Sequence, residues 1–528
     1  MKKYLYISIF ISFVVSIFIL IDLFFFADNI KVKKISKLYS PKSSIIFSNY
    51  SGIYSNRNLN LNINDKRADR MCLIYNDDTI FFNKNNFDLS ISSYPLKLSK
   101  IPTSSKNYKK YANSWSEPIG EFSSFHQIKV LSYLENSILD SAKENYVLGS
   151  LEFDSLPIVN LNVNQNWLFS NDTGCYVPGV NFDNSNDQNT GNFYSFKKRK
   201  QVGKIQIIDR YSEYLNGDYL FRIHGYITPL APQKGLRFYL NEKTAVNKLL
   251  DVNHTIDKLI LRSSFSGWGN EIFIDGWIAD ICSTLNLDVM VYKPSKVYLN
   301  GEYWGIHGIR ERLDLKAIAN KYDLKEKKLI DSDDKGFSKS NGYGSINDLI
   351  LKIKENPNIS FKEIKDRFKL KSLLDWLIVE LFFQNVDWPC NNTFFWKKNK
   401  SNKKWKAVLI DMDACVGSPE KNMFEFATKD RSPALGGVLV TYLLKQPEFK
   451  EKFKERVKYL FDNELSSENL LKKFNYYKTF INPAIEEHYR RWGDPDGEYK
   501  YNKGLKRIKD FCLHRHKYFI LNMNNYFN

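Results

Sequence analysis

Asp387 and Asn392 stand five positions apart in the run Asn385-Val386-Asp387-Trp388-Pro389-Cys390-Asn391-Asn392, and a hydrophobic stretch after Lys404 ends in Asp411-Met412-Asp413. An acid and an amide at that offset, followed by an acidic pair on the next strand, make the layout of a phosphoryl-transfer site. A nucleoside triphosphate needs its divalent ions held by oxygen ligands while another carboxylate receives the proton of the attacking hydroxyl. Protein kinases meet this demand with a catalytic-loop Asp, an Asn five residues later, and a metal-binding Asp at the end of a following strand. Lys404-Trp405-Lys406-Ala407-Val408-Leu409-Ile410 reads as a buried strand that would deliver Asp411 and Asp413 into the same cleft. The same residues also suit a plain turn, started by Asp387-Trp388-Pro389 and capped by Asn391-Asn392.

A cation for the phosphates must come from another part of the chain. The alternation through Lys234-Gly235-Leu236-Arg237-Phe238-Tyr239-Leu240 places Lys234 at the start of a strand, on one face with Leu236, Phe238 and Leu240. Such a lysine could pair with nucleotide phosphates from a small sheet lobe, or be a surface lysine at a strand start. Strands at 295–298 and 303–309 flank Asn300-Gly301, a strong hairpin turn. Between them and Lys234, Glu271 to Leu285 reads as a helix with Ile274, Ile278 and Ile281 on one face, and Glu271 or Asp275 is a natural partner for Lys234. Beyond about residue 313 the pattern turns helical. The apolar run from Leu373 to Phe382 suits a buried helix leading into the Asp387 loop, and the last 80 residues are helical too.

Five segments in order resemble the signature blocks of the CotH-like atypical kinases: Arg222-Ile223-His224-Gly225; Pro232-Gln233-Lys234; Tyr298 to Gly305 with Arg310-Glu311-Arg312; Asn385 to Asn392; and Asp411-Met412-Asp413. The resemblance spans roughly residues 150 to 430. It implies that Lys234 contacts the nucleotide phosphates, that Asp387 is the catalytic acid of the loop, and that Asn392 helps to hold a metal ion together with Asp411 or Asp413. It also implies that Arg310 and Glu311 lie near the adenine, that ATP with Mg2+ or Mn2+ is the cofactor set, and that the acceptor is a Ser or Thr of a protein. Asp413-Ala414-Cys415 stands where the family frequently shows a Phe-Gly pair, and Gly235 where serine is common after the lysine. These departures keep open a catalytically inactive scaffold that binds proteins or glycans. A metal-dependent hydrolase using Asp387, Asp411 and Asp413 is a further alternative.

The fold class expected from these patterns is α+β: a two-lobed kinase-like domain behind a small β-sandwich and an N-terminal transmembrane helix. The expected boundaries are 1–28 for a membrane anchor or signal, 29–155 for the sandwich, 156–312 for the small lobe and 313–528 for the helical large lobe. The sandwich, with alternating pieces such as Leu59 to Ile63 and Met71 to Tyr75, resembles the chitobiase C-terminal-like domain that often precedes CotH-like domains. The apolar run Tyr4 to Phe26 is long enough to span a membrane, which needs about 20 residues. An uncleaved anchor with an exported catalytic domain is the expectation, or a secreted protein if the segment is removed.

A chain of 528 residues exceeds one core, and at 43% hydrophobic and 15% aromatic it can bury several. Its 77 Lys and Arg against 59 Asp and Glu give a formal charge of +18, which favours acidic partners such as nucleotide phosphates or an anionic surface. The charge is spread through the chain with no aromatic-basic RNA motif, so no nucleic-acid partner is expected. The six cysteines are far apart without a Cys-x-x-Cys pair and read as buried free thiols; His514 and His516 have the wrong spacing for a one-face zinc pair.

Overall fold

The computed structural model of the chain describes residues 36–528 apart from 77, 105–114, 151–155, 184–189, 241–243, 333–345, 401–402 and 431–434. Its organising element is a closed barrel. Seven strands follow one another around it: Ile158–Asn162, Gln201–Ile208, Glu213–His224, Gly235–Tyr239, Lys258–Arg262, Glu302–Glu311 and Lys293–Leu299. Neighbours run antiparallel, and the ring closes where Ile158–Asn162 pairs in parallel with Lys293–Leu299, Ile158 opposite Lys296 and Leu161 opposite Leu299. Closure leaves no free edge in this layer.

Alternation along each strand fills the barrel. Val159, Ile205, Phe221, Ile223, Leu236, Phe238, Leu259, Leu261, Val297 and Ile309 form one buried cluster to which all seven strands contribute. Phe221 stacks on Phe238 with ring centroids 5.3 Å apart. The intervening residues face outward, so side chains two apart share a side and neighbours part company.

The architecture corrects the expected fold class. Helix and sheet are both abundant, but the strands of 158–311 close into a seven-stranded barrel where a small lobe of a two-lobed kinase-like domain was expected. The region expected as a sandwich packs two sheets on a core of its own, with Ile63, Phe87 and Ile91 against Leu73, Ile128 and Val130, and is joined to the barrel. Its strand Ser124–Leu134, paired with Arg70–Tyr75 and Ser137–Leu148, continues into the barrel sheet where Ser124 lies opposite Glu302. A buried carboxylate lies at the seam: Glu302 accepts hydrogen bonds from the backbone N–H groups of Lys97, Leu98 and Ser99 and from the Ser99 hydroxyl, at 2.8–3.0 Å. Among the described residues no helix is long and apolar enough to cross a membrane. The run Tyr4 to Phe26, on which the expected membrane helix falls, lies outside the described residues.

A helical layer covers one side of the barrel. The helix Leu370–Phe383 is buried all round, as a helix with apolar side chains on every face must be. It packs with Pro447–Asp462, Ser467–Arg491 and Gly497–Phe527 in the largest core of the molecule. A four-stranded sheet, Asp288–Val289, Lys406–Leu409, Phe394–Lys398 and Leu329–Ser332, sits beside it.

Tyr292 sets how the helix Ile274–Ile281 rests on the barrel. A Cβ on Gly276 or on Gly308 would come within 2.2 Å of the Tyr292 ring, so both positions must lack a side chain for helix and strand to close on it. Gly308→Ala is expected to cost about 1–3 kcal/mol through overpacking, read as a lower urea midpoint. Full stability with Ala at 308 would show that this packing is looser than described.

Candidate active site

Local structure explains how the Asp387 loop is held. The helix Leu370–Phe383 stops at Gln384, which adopts a left-handed conformation with φ 63°. Trp388 is fully buried and meets Trp376 edge-on at 5.5 Å, so one large apolar side chain pins the loop into the core. The Asn385 side chain accepts from the Asp387 N–H at 3.1 Å, and the Asp387 carbonyl accepts from the Asn391 N–H at 3.0 Å. With its backbone fixed and its neighbour anchored, Asp387 is exposed to solvent at the loop surface.

Asn392 and Asp411 meet across the cleft. Both are left-handed, with φ 58°, and the Asn392 amide donates to the Asp411 carbonyl at 3.4 Å. Two non-glycine residues in this sparsely populated region, one from each expected site segment, mark a place where the surrounding structure overrides local preference. The strand Lys406–Leu409, paired with Phe394–Lys398, ends just ahead of Asp411, as its sequence pattern predicts.

The charges converge on Arg262, the last residue of Lys258–Arg262. Its guanidinium hydrogen-bonds to Asp411 Oδ1, lies 3.1 Å from Asp413 Oδ2, and lies 3.2 Å from Asp275 Oδ2. Asp275, in the first turn of the helix Ile274–Ile281, is shared with Arg310, and its other oxygen accepts from the Met412 N–H at 3.3 Å. Two arginines from the barrel and three carboxylates from the helical side thus form one network across the interface.

The two site aspartates differ in environment. Burial opposes ionisation of Asp411, but Arg262 outweighs it and holds that carboxyl below its ordinary value. Burial pushes Asp413 up, and the neighbouring Asp411 and Asp275 add to this against Arg262. Asp413 is 8% exposed at its side chain and Asp411 43%, so Asp411 is the more open to a ligand. Among the described residues no three His, Cys, Asp or Glu side chains group as a metal site. Two carboxylates and an amide are nevertheless a fitting donor set for Mg2+ or Mn2+ that completes its shell with phosphate oxygens and water.

Lys234 lies elsewhere. It shares the inward face with Leu236 and Phe238, as the alternation predicts, but that face is the barrel interior. Its fully buried ammonium donates to the carbonyls of Thr103 at 2.7 Å and Ala231 at 2.9 Å and sits 4.3 Å from the Phe193 ring centroid. Burial lowers its pKa well below the ordinary value. The expected carboxylates go to other partners: Asp275 to Arg262 and Arg310, Glu271 to Arg507 at 3.0 Å. Arg310 joins the network and also donates to the Met290 carbonyl at 2.6 Å. Glu311, its neighbour on the same strand, faces the opposite way and meets His254 at 2.8 Å. Sequence reasoning did not assign Arg262. The signal was present, since Arg262 alternates with the inward residues Leu259 and Leu261 at the end of the strand that leads, through the turn Phe265–Gly267, to the helix that carries Asp275.

Removing Arg262 would leave Asp411 and Asp413 without their cation, while Asp275 keeps Arg310. Arg262→Met is expected to lower stability by about 3–5 kcal/mol, the usual cost of breaking a buried pair on one side. Mn2+ should then raise the melting temperature more in the variant than in the parent, because the ion takes over the neutralising role. Equal shifts in both proteins would separate Arg262 from the ion site.

The barrel, the Asp387 loop and the Arg262 network occupy a part of the chain that can be compared with known proteins. No curated protein matches it. Among solved structures, the crystal structure of a Helicobacter pylori proinflammatory kinase, CtkA, aligns at 12% identity over 53% of this chain and 94% of that one, with a TM-score of 0.20. The family model described as CotH kinase protein matches residues 221–519, from inside the barrel to the last helix, and not the strands before it. That match takes in Arg262, Asp275, Asp387, Asn392, Asp411 and Asp413 and exceeds half of the 528 residues, and the chain therefore belongs to the CotH kinase family.

Proposed function

We propose that the protein transfers the γ-phosphoryl group of ATP to a hydroxyl, that of a Ser or Thr in a protein acceptor, with Mg2+ or Mn2+. The observation that carries this reading is the network in which Arg262 joins Asp275, Asp411 and Asp413, with the Asn392 amide on the Asp411 carbonyl. Asp411 and Asp413, with Asn392, hold the divalent ions. Those ions supply neutralisation of the phosphate oxygens as charge moves to the leaving group. Asp387 stands exposed at the loop surface, where an incoming hydroxyl can reach it, and there it orients that hydroxyl and accepts its proton.

Arg262 has two roles in this scheme. Without ligand it compensates the acidic cluster. With nucleotide bound it is placed to donate to a phosphate, since a guanidinium already held by Asp275 needs little reorganisation to do so. Incubation of the full chain with γ-labelled ATP, Mn2+ and a panel of Ser/Thr-containing proteins tests the reading. Label should pass to protein hydroxyls and survive acid and neutral hydroxylamine, the latter of which cleaves acyl phosphates. Binding of ATP without any transfer would leave a nucleotide-binding scaffold in place of a kinase.

A further inference from the structure

Arg262 is not the only cation on the outer face of the barrel. In the pairing of Glu213–His224 with Gly235–Tyr239, Arg222 lies opposite Arg237; Arg237 lies in turn opposite Ile260, and Ile260 opposite Arg310. These residues share one row and alternate with the inward Phe221, Ile223, Leu236, Phe238, Leu259 and Leu261, so they face out on the side where Arg262 meets Asp411. His224 lies two residues beyond Arg222 on the same face. Arg312, two beyond Arg310, is tied at its N–H to the Lys258 carbonyl at 2.9 Å.

This array lacks counter-charge. Arg222 donates to neutral oxygens, the Tyr239 hydroxyl at 2.9 Å and the carbonyls of Ile223 and Lys197 at 3.2 and 3.3 Å. Arg237 donates to His224 Nδ1 at 2.8 Å. Among the described residues none of Arg222, Arg237 and Arg312 pairs with a carboxylate, and the Nε atoms of Arg237 and Arg312 are buried without a hydrogen-bond partner. The nearest acids on the same strand ends are engaged: Glu311 with His254 and Asp314 with Lys258, each at 2.8 Å. Burial, reinforced by Arg312 and Arg222, lowers Arg237 to about 10. Burial and the guanidiniums of Arg237, Arg312, Arg262 and Arg222 hold His224 well below its ordinary value, which keeps it neutral and able to accept from Arg237. Half-buried guanidiniums that repel one another and leave donors unused form a site for a polyanion, because phosphate oxygens can satisfy several forked donors at once.

We propose that Arg222, Arg237 and Arg312 form the phosphate-chain subsite of this protein, gripping the polyphosphate of the nucleotide whose γ end lies at Asp411 and Asp413. The inference rests on the phosphotransferase reading for the identity of its ligand. It gives these arginines the role that residue type alone suggests for Lys234. Arg262 is the link, since it touches Asp411 and lies two residues beyond Ile260, the cross-strand partner of Arg237, on the same outward face. A chain of phosphates can span from the acidic pair with its ions to the arginine row, whereas a single small anion would occupy only one end.

Calorimetric binding of tripolyphosphate, ATP, ADP and AMP to the full chain in EDTA tests this without requiring catalysis. Affinity should rise with the number of phosphates and fall with added salt. Arg237→Gln and Arg312→Gln should each weaken tripolyphosphate binding at least tenfold, while Arg237→Lys retains part of it and Lys509→Gln, on an exposed position of the last helix, changes nothing. Because each Gln variant relieves repulsion, it should melt no lower than the parent when ligand is absent, which a purely structural arginine would not allow. Undiminished tripolyphosphate binding in both Gln variants, or no metal-free binding by the parent, overturns the subsite. Loss of binding in those variants upholds it even if no hydroxyl is ever phosphorylated, and labelling of an acceptor by variants with unchanged tripolyphosphate affinity would uphold the kinase reading while removing the subsite.

Discussion

Asp387→Asn is expected to lower kcat by about 10²–10⁴-fold, the range that a positioned general base contributes, with KM for ATP and thermal stability nearly unchanged. The split follows from its surroundings. The carboxylate is exposed, so its loss opens no cavity, and the loop is held by other means: Trp388 against Trp376, and Asn385 against the Asp387 N–H. An Asn side chain keeps the size and can still orient a hydroxyl, but it cannot take a proton at neutral pH. Single-turnover transfer of labelled phosphate at saturating ATP measures the effect. Equal rates in parent and variant would remove Asp387 from the chemistry.

The second large effect concerns the acidic pair. Asp411→Asn should reduce kcat by about 10²–10³-fold, because charge developing on the phosphate oxygens would lose compensation where the transition state demands it. Asp413→Asn should act in the same direction, though Asp413 is buried against Ser266, whose N–H it accepts at 3.3 Å, and its loss also disturbs the interface. Mn2+ titration followed by electron paramagnetic resonance separates the two. The residue that ligates an ion directly should shift the Mn2+ dissociation constant at least tenfold when replaced, and a residue that only supports Arg262 should not. If both variants bind Mn2+ as the parent does, the ion does not sit on this pair.

Much of the site was legible because its parts are local in sequence. The apolar run into Leu370–Phe383, the Asp387 loop and the strand ahead of Asp411 each depend on contiguous patterns, and the structure builds each where the pattern places it. The contact of Asn392 with Asp411, by contrast, joins two segments that the sequence only places in one cleft, and the structure supplies it. Of the six cysteines expected as buried free thiols, Cys72, Cys175, Cys282, Cys415 and Cys512 are buried and unpaired, while Cys390, in the Asp387 loop, is only half-buried. The barrel was not legible, because the pairing of Ile158–Asn162 with Lys293–Leu299 that closes it joins segments more than a hundred residues apart, and no local pattern records it.

Sequence alone determined which side chains share a face of each strand, since that depends only on the two-residue period of extended backbone. Lys234 goes with Leu236 and Phe238, and Arg262 with Ile260, by that rule. Which face would be sealed from water was decided only by closure of the barrel, a matter of long-range strand order. Once the ring shuts, the Lys234 face becomes interior, where the ammonium can find only carbonyls and aromatic rings. The other face turns toward the helical layer, and that is why the arginines, and not the lysine, meet the carboxylates of Asp275, Asp411 and Asp413.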